Sequence, residues 1–302
     1  MSQNKKRAKS QPSENRESRV LVNHCFELAG QLGITKILVF AESVLDQRYI
    51  LENKSEETII LLTKNKEKIR EEFSSKCSVV SLPDQELSRS EQFQLGLLFA
   101  VLSGQVEHDE TVLCITGLVG SLRLDNLLIT NLLRDNKWFQ KHTYDQVPKR
   151  ILCSQEFVRL LNIALRLARQ GREGKKIGTI FILGEPDSFD TYLDQLVLNP
   201  FKGHPKRSRN IHDNDFFETI REYATLDGAF VVSNSGAVER AGAYLNPPAS
   251  KKVNMGKGFG ARHAAAANLT AVTEALAITV SESSSSVVVF FEGSIILELN
   301  PK

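Results

Sequence analysis

The sequence predicts an α/β protein built in two parts, an N-terminal parallel α/β domain over residues 19–140 and a mixed-sheet α+β domain over residues 152–302. From residue 20 to about 140, apolar runs of strand length alternate with segments whose apolar residues recur at helical spacing. That alternation is the pattern of a mostly parallel sheet with helices on its faces. From residue 227 onward it gives way to strands joined by tight turns. Between the halves, the polar stretch "NKWFQKHTYDQVPKR" carries Pro148 among charges, which marks residues 141–151 as a linker.

In the first half, "VLVNHCFELAGQLG" has a helical apolar stripe and ends on Gly33, a residue suited to closing a helix. The runs "ITKILVFAE", "ETIILLTK", "CSVVSLP" and "ETVLCITG" then read as strands, and "KNKEKIREEFSSK", "SEQFQLGLLFAVLSG" and "LRLDNLLITNLL" as helices. In the second half, "SQEFVRLLNIALRLARQG" places Phe157, Leu160, Leu161, Ala164 and Leu165 on one helical stripe, and "KIGTIFILG" is a strand. "DNDFFETIREYATL" opens with Asp215 three residues before Glu218, close to a capping box, and so reads as a helix. Then come two hairpins, "AFVVS" to "AVER" through "NSG" and "VVVFF" to "SIILEL" through "EG". Between them lie the helix "ARHAAAANLTAVTEA" and the strand "LAITVSE", with "SESSSS" as a polar loop.

At 302 residues, with 41% of them hydrophobic, the chain can fill two cores. Its 38 basic and 36 acidic residues leave a net charge of +2, which excludes a global electrostatic pull toward nucleic acid or membrane. Cys25, Cys77, Cys114 and Cys153 show neither zinc-type CxxC pairs nor the density of a disulfide scaffold, so they read as reduced thiols of a cytoplasmic protein. No apolar run reaches the roughly 20 residues of a membrane-spanning helix, and residues 1–18 read as a disordered tail.

Two stretches carry chemistry. In "DGAFVVSNSG", Asp227 precedes an apolar strand and two residues with almost no side chain. A hard oxygen ligand there suits Mg2+ or Mn2+, which takes one or two protein carboxylates and completes its shell with water and phosphate oxygens. In "NMGKGFGARHAAAANLT", Gly256, Gly258 and Gly260 leave backbone N–H groups open to a phosphate just before a helix N-terminus, and Lys257 and Arg262 add charge. The spacing is neither a P-loop nor a dinucleotide fingerprint. Asp before Gly is also the residue pair of an ordinary turn, and glycines beside basic residues also make surface loops. On these residues alone both readings stay open.

"LDGAFVV", "GAYL" and "GARHAAAANLTAVTEALAITVSE", in this order and at these intervals, resemble the diadenylate cyclase domain, the family that joins two ATP molecules into cyclic di-AMP. The resemblance covers roughly residues 150–298. It implies a nucleotidyltransferase in which Asp227, Arg262 and His263 are catalytic and Asp227 holds the divalent ion. It further implies that Gly228 and Ala229 leave room for sugar and phosphates, and that Gly242, Ala243 and Leu245 line the adenine pocket. Lys257, Gly258, Gly260, Ala261, Arg262 and His263 would meet the triphosphate, with Ser281 and Glu282 on a neighbouring loop. Many members read Gly-Thr-Arg-His-Arg where this chain has Ala261 and Ala264, so one hydroxyl and one cation are missing, and Lys257 is a candidate to compensate. "VLCITGLVGSLRLDNLLI" and the strands before it resemble the C-terminal α/β domain of pyruvate kinases, a likeness of fold only.

Cyclic di-AMP has two equivalent links, whereas one chain offers one Asp227 and one phosphate segment. The expected partners are therefore ATP and a second copy, two cyclase domains facing each other about a two-fold axis in a homo-oligomer. The alternative is a sensor that binds ATP or cyclic di-AMP with weak or no turnover. A nucleic-acid role through the tail and the 204–209 loop lacks the interleaved aromatics such sites use.

Overall fold

The computed structural model describes residues 11–44, 49–51, 57–65, 69, 76–107, 109–118, 123–131, 134, 154–250, 253 and 258–301. The chain divides into two compact units, Met1–Gln140 and Lys141–Lys302.

The first unit runs α1 (Gln11–Leu32), β1 (Lys36–Phe40), β2 (Thr58–Thr63), β3 (Ser78–Ser81), α2 (Arg89–Leu102), β4 (Thr111–Leu118) and β5 (Arg123–Asn131). Its sheet has the order β3-β2-β1-β4-β5, parallel across the first four strands and antiparallel at β5. The central strand β1 reads as a continuous apolar run because Ile37 to Phe40 are buried on both faces. Ser88 and Glu91 form a capping box that starts α2: the Glu91 N–H donates to Ser88 Oγ at 3.4 Å and the Ser88 N–H to Glu91 Oε2 at 2.7 Å.

Two expectations change. "LRLDNLLITNLL" was expected to be a helix, yet it forms β5, an antiparallel edge strand registered along the whole of β4. The expected tail overlaps α1, which begins at Gln11. Glu17 pairs with Arg123 at 2.7 Å and Ser18 Oγ accepts the Leu124 N–H at 3.1 Å, so β5 holds this part of the helix. The charged helix expected near residue 70 lies largely, and the 141–151 linker wholly, outside the described residues. Cys25 and Cys114 are buried free thiols. Burial pushes the Cys114 thiol up to about 12 and raises Cys25 as well, with Cys114 and Glu57 adding to the latter. Cys77 is half-buried and forms no disulfide, and Cys153 lies outside the described residues.

The second unit runs α3 (Gln155–Gln170), β6 (Thr179–Leu183), β7 (Leu193–Gln195), α4 (Phe216–Tyr223), β8 (Ala229–Val232), β9 (Val238–Leu245), α5 (Ala261–Val272), β10 (Leu276–Val280), β11 (Val287–Phe291) and β12 (Ser294–Leu299). The sheet order is β12-β11-β10-β6-β8-β9-β7, and only the β6–β8 pair is parallel. Ser154 Oγ caps α3 by accepting the Phe157 N–H at 3.1 Å, and the expected stripe from Phe157 to Leu165 is buried. On one face of the sheet, Ala266, Ala267 and Leu269 of α5 pack with Ile180, Ile182, Ala277, Val288 and Phe290. Side chains alternate along a strand, so Phe181 and Phe230, stacked at 5.1 Å, point to the other face. The box expected at Asp215 does not close. Asp215 already has helical backbone angles, φ −71° and ψ −23°, where an N-cap side chain works from an extended backbone.

Candidate functional site

The strand directions bring the two chemical stretches together. β6 and β8 are parallel and β10 is antiparallel to β6, so residues that precede β6 and β8 and residues that follow β10 share one end of the sheet. Asp227 stands before β8, Gly178 before β6, and Ser281 and Glu282 directly after β10. At this end a cleft of about 900 Å³ is lined by Asp227, by Gly258 to His263 and by the turn from Ser281 onward.

Arg262 stands between the two acids. Its Nη2 lies 3.6 Å from Asp227 Oδ1, and its Nη1 donates to Glu282 Oε2 at 3.4 Å. The Asp227 and Glu282 side chains are 78% and 64% exposed, so both carboxylates remain open to solvent and to a ligand. Asp227 Oδ1 also accepts the N–H of Gly228 at 3.1 Å, which tethers the carboxylate at the start of the strand. Gly228 has φ +108°, and a Cβ there would come within 2.9 Å of Ala243 N and O and 2.7 Å of Gly242 C. The close approach of β9 thus requires glycine at this position.

Gly260 is the N-cap of α5 and offers no side chain to the first turn. The helix therefore presents unpaired N–H groups and the positive end of its dipole to the cleft. His263 on that first turn is 7% exposed, and its Nε2 is buried with no hydrogen-bond partner. Its ring is 5.1 Å from Phe259 and 6.1 Å from Phe290. Burial, then the charge of Arg262, holds the imidazole below its usual value, so it is neutral near pH 7. A buried nitrogen without a partner is costly unless a ligand satisfies it.

Opposite α5, the turn after β10 is tied by its own serines. The Ser284 N–H donates to Ser281 Oγ at 3.3 Å, and the Ser281 N–H donates to Ser286 O at 2.9 Å. Lys176 Nζ donates to Ser283 O at 3.1 Å.

Of the residues expected at the site, Asp227, Gly258, Gly260, Ala261, Arg262, His263, Ser281 and Glu282 line this cleft, with Gly228 adjoining it. Ala229, Ala243 and Leu245 are buried in the sheet core, where Ala229 pairs with Ala243, and Gly242 sits against Val197 and Asp227 O. Lys257 lies outside the described residues. In the 204–209 loop, Arg209 is committed to β9, with Nη1 at 2.5 Å from Glu239 Oε2 and 2.6 Å from Val238 O. Sequence reasoning missed Phe259, Glu298 and Asn300 as lining residues. Glu298 and Asn300 reach the cleft only because β12 ends at the same edge as β10, which strand pairing reveals and spacing does not.

The donor set fits a divalent ion. Asp227 and Glu282 are exposed hard oxygen donors on the two sides of the Arg262 guanidinium. Among the described residues no group of three or more metal-binding side chains occurs, so nucleotide and water would have to complete the shell.

The sequence profile described as "DisA bacterial checkpoint controller nucleotide-binding" matches residues 166–295, and the one described as "Probable sensor domain DacZ_P" matches residues 16–139. A protein of Methanocaldococcus jannaschii named "Diadenylate cyclase" is 31% identical over 252 residues, 81% of this chain and 78% of that protein. A protein of the same name from Haloferax volcanii is 31% identical over 223 residues, 74% of this chain and 80% of that protein. Among solved structures, DacA from Staphylococcus aureus aligns over 45% of this chain and 81% of its own, at 19% identity and a TM-score of 0.33.

Proposed function

Since the chain belongs to the diadenylate cyclase family of nucleotidyltransferases, we propose that it condenses two ATP molecules into cyclic di-AMP and two pyrophosphates. Each ATP occupies the cleft of one chain, and two clefts face each other. The observation that carries this reading is the meeting of Asp227, Arg262 and Glu282 beneath the uncapped N-terminus of α5.

In each link, the 3'-oxygen of one nucleotide bonds to the α-phosphorus of the other, the bridging α–β P–O bond breaks, and the hydroxyl proton leaves to solvent. The chain's residues contribute mainly position and charge. Arg262 and the N–H groups of α5 hold phosphate oxygens, and binding draws Arg262 away from the two carboxylates it now bridges. Asp227 and Glu282 are thereby freed to hold Mg2+ or Mn2+. When bound, the ion neutralises charge at the α-phosphate and lowers the pKa of the attacking hydroxyl. His263, neutral and lacking a partner at Nε2, supplies a hydrogen bond to the bound nucleotide and fixes the loop before α5.

Incubating the purified protein with ATP and manganese or magnesium, followed by mass spectrometry, tests the reading. Cyclic di-AMP that disappears on chelation is the expected result. ATP bound without turnover would replace it with the sensor reading, which the missing hydroxyl and cation at Ala261 and Ala264 favour.

A further inference from the structure

A second cavity of about 300 Å³ lies on the far side of Arg262 and shares Arg262 and Glu282 with the cleft. Its remaining wall is the segment between α3 and β6, from Arg172 and Glu173 through Lys175 and Lys176 to Gly178, together with Ala224 and Thr225 after α4. The segment is a rigid turn. The Arg172 N–H donates to Lys175 O at 2.9 Å and the Lys175 N–H to Arg172 O at 2.8 Å, while Glu173 and Gly174 between them have φ +51° and +76°. Two successive positive φ values closed by that pair of bonds define a tight hairpin turn of the primed type. Arg172 is spent on Glu222, 2.6 Å away. Lys175 and Lys176 form no ion pair among the described residues, and Lys176 reaches across to Ser283 O in the turn that borders the cleft.

Gly178 leaves room for the Arg262 side chain where the two cavities meet. A Cβ there would stand 2.6 Å from Arg262 Nη1 and 2.9 Å from the Glu282 Cβ. The missing side chain leaves the space in which the guanidinium lies between the cleft and the lysines. The charge balance points the same way. A triphosphate carries several negative charges, and the first turn of α5, Ala261 to Ala264, supplies Arg262 as its one charged side chain.

We propose that the turn from Arg172 to Gly178 is the outer phosphate-binding wall of the site, with Lys175 and Lys176 holding the β- and γ-phosphates of ATP and then the departing pyrophosphate. This inference rests on the nucleotidyltransferase reading of the cleft. It moves the compensating charge from Lys257 to two lysines that precede β6. Two mobile ammonium groups also suit release, because each binds as a point charge and not as a fixed fork.

The test separates phosphate contacts from the rest of the nucleotide. Full-length protein is titrated calorimetrically with 3'-deoxy-ATP, which cannot form the link, and with AMP, which lacks the outer phosphates. For the Lys175→Ala/Lys176→Ala chain, affinity for 3'-deoxy-ATP falls about tenfold, on the scale of lost charge-assisted contacts, while affinity for AMP is unchanged. Lys175→Ala alone, which leaves the Lys176–Ser283 contact in place, gives a smaller loss of the same kind, and Lys→Arg at both positions restores binding. Equal affinity of parent and double variant for 3'-deoxy-ATP overturns the proposal, as does an equal loss for AMP. Product formation by the parent chain is measured separately. Its absence would sink the cyclase reading while the titration still decides on the lysines.

Discussion

Asp227 is solvent-exposed and, among the described residues, is tethered by its own Gly228 N–H and by the outer edge of an Arg262 contact. Nothing in the sheet depends on its charge, so replacing it tests chemistry alone. Asp227→Asn is expected to lower turnover about 100- to 1000-fold, the scale of deleting one preorganised electrostatic group, with an unchanged melting temperature; a variant that keeps parental turnover would remove the metal role. Gly228 behaves in the opposite way. Its φ of +108° and the backbone of β9 within 2.9 Å of a virtual Cβ make Gly228→Ala a folding defect on the order of 2 kcal/mol. Thermal denaturation checks it, and a melting temperature equal to the parent's would contradict the packing described. Adjacent residues of one motif thus serve different ends. The Asp-Gly-Ala signature was legible in the sequence, but the reason for its glycine was not, because the constraint comes from a strand that begins ten residues later.

Helix α5 carries the turn that lines the cleft, and its placement relies on a contact at its other end. Thr270 is fully buried, its hydroxyl donating to Ala267 O at 3.0 Å and accepting the N–H of Gly293 at 3.1 Å in the β11–β12 turn. Thr270→Val keeps the shape and strands that N–H, so it should cost about 1–3 kcal/mol, read as a lower denaturant midpoint; an unchanged midpoint would mean that the hydroxyl is not the anchor. Elements of the second unit were readable because their periods are clean: "VVVFF" and "SIILEL" flank an obvious turn, and the α3 stripe has a single apolar face. The misreading of β5 has a specific cause. Leu124, Leu127 and Leu128 recur at the helical interval, but Leu128 and Ile129 are among the exposed apolar residues of a strand at the sheet edge. An edge strand covered on one side by α1 relaxes the strict alternation that would have revealed it. β7 went unread for another reason: three residues carry no period, and only pairing with Leu245, Tyr244 and Ala243 defines it.

At the scale of the whole molecule, one chain holds one Asp227, one Arg262 and one α5 N-terminus, which on the proposed reaction serve one ATP, whereas cyclic di-AMP has two identical links. The proposed two-fold pair would resolve the mismatch, because each chain would then supply the groups for one link. Two consequences follow. Specific activity should fall on dilution once pairs dissociate, and a chain that retains full activity as a monomer by light scattering would break the two-fold reading. Mixing gives the sharper result. When parent and Asp227→Asn chains are unfolded, combined in equal amounts and refolded, random pairing leaves about a quarter of the pairs fully parental, so cyclic product should drop to about that fraction. The mixed pairs retain the groups for one link and should accumulate a linear dinucleotide that still carries a triphosphate, detectable by mass spectrometry. If each chain built both links within its own cleft, cyclic product would instead fall to half and no linear species would appear.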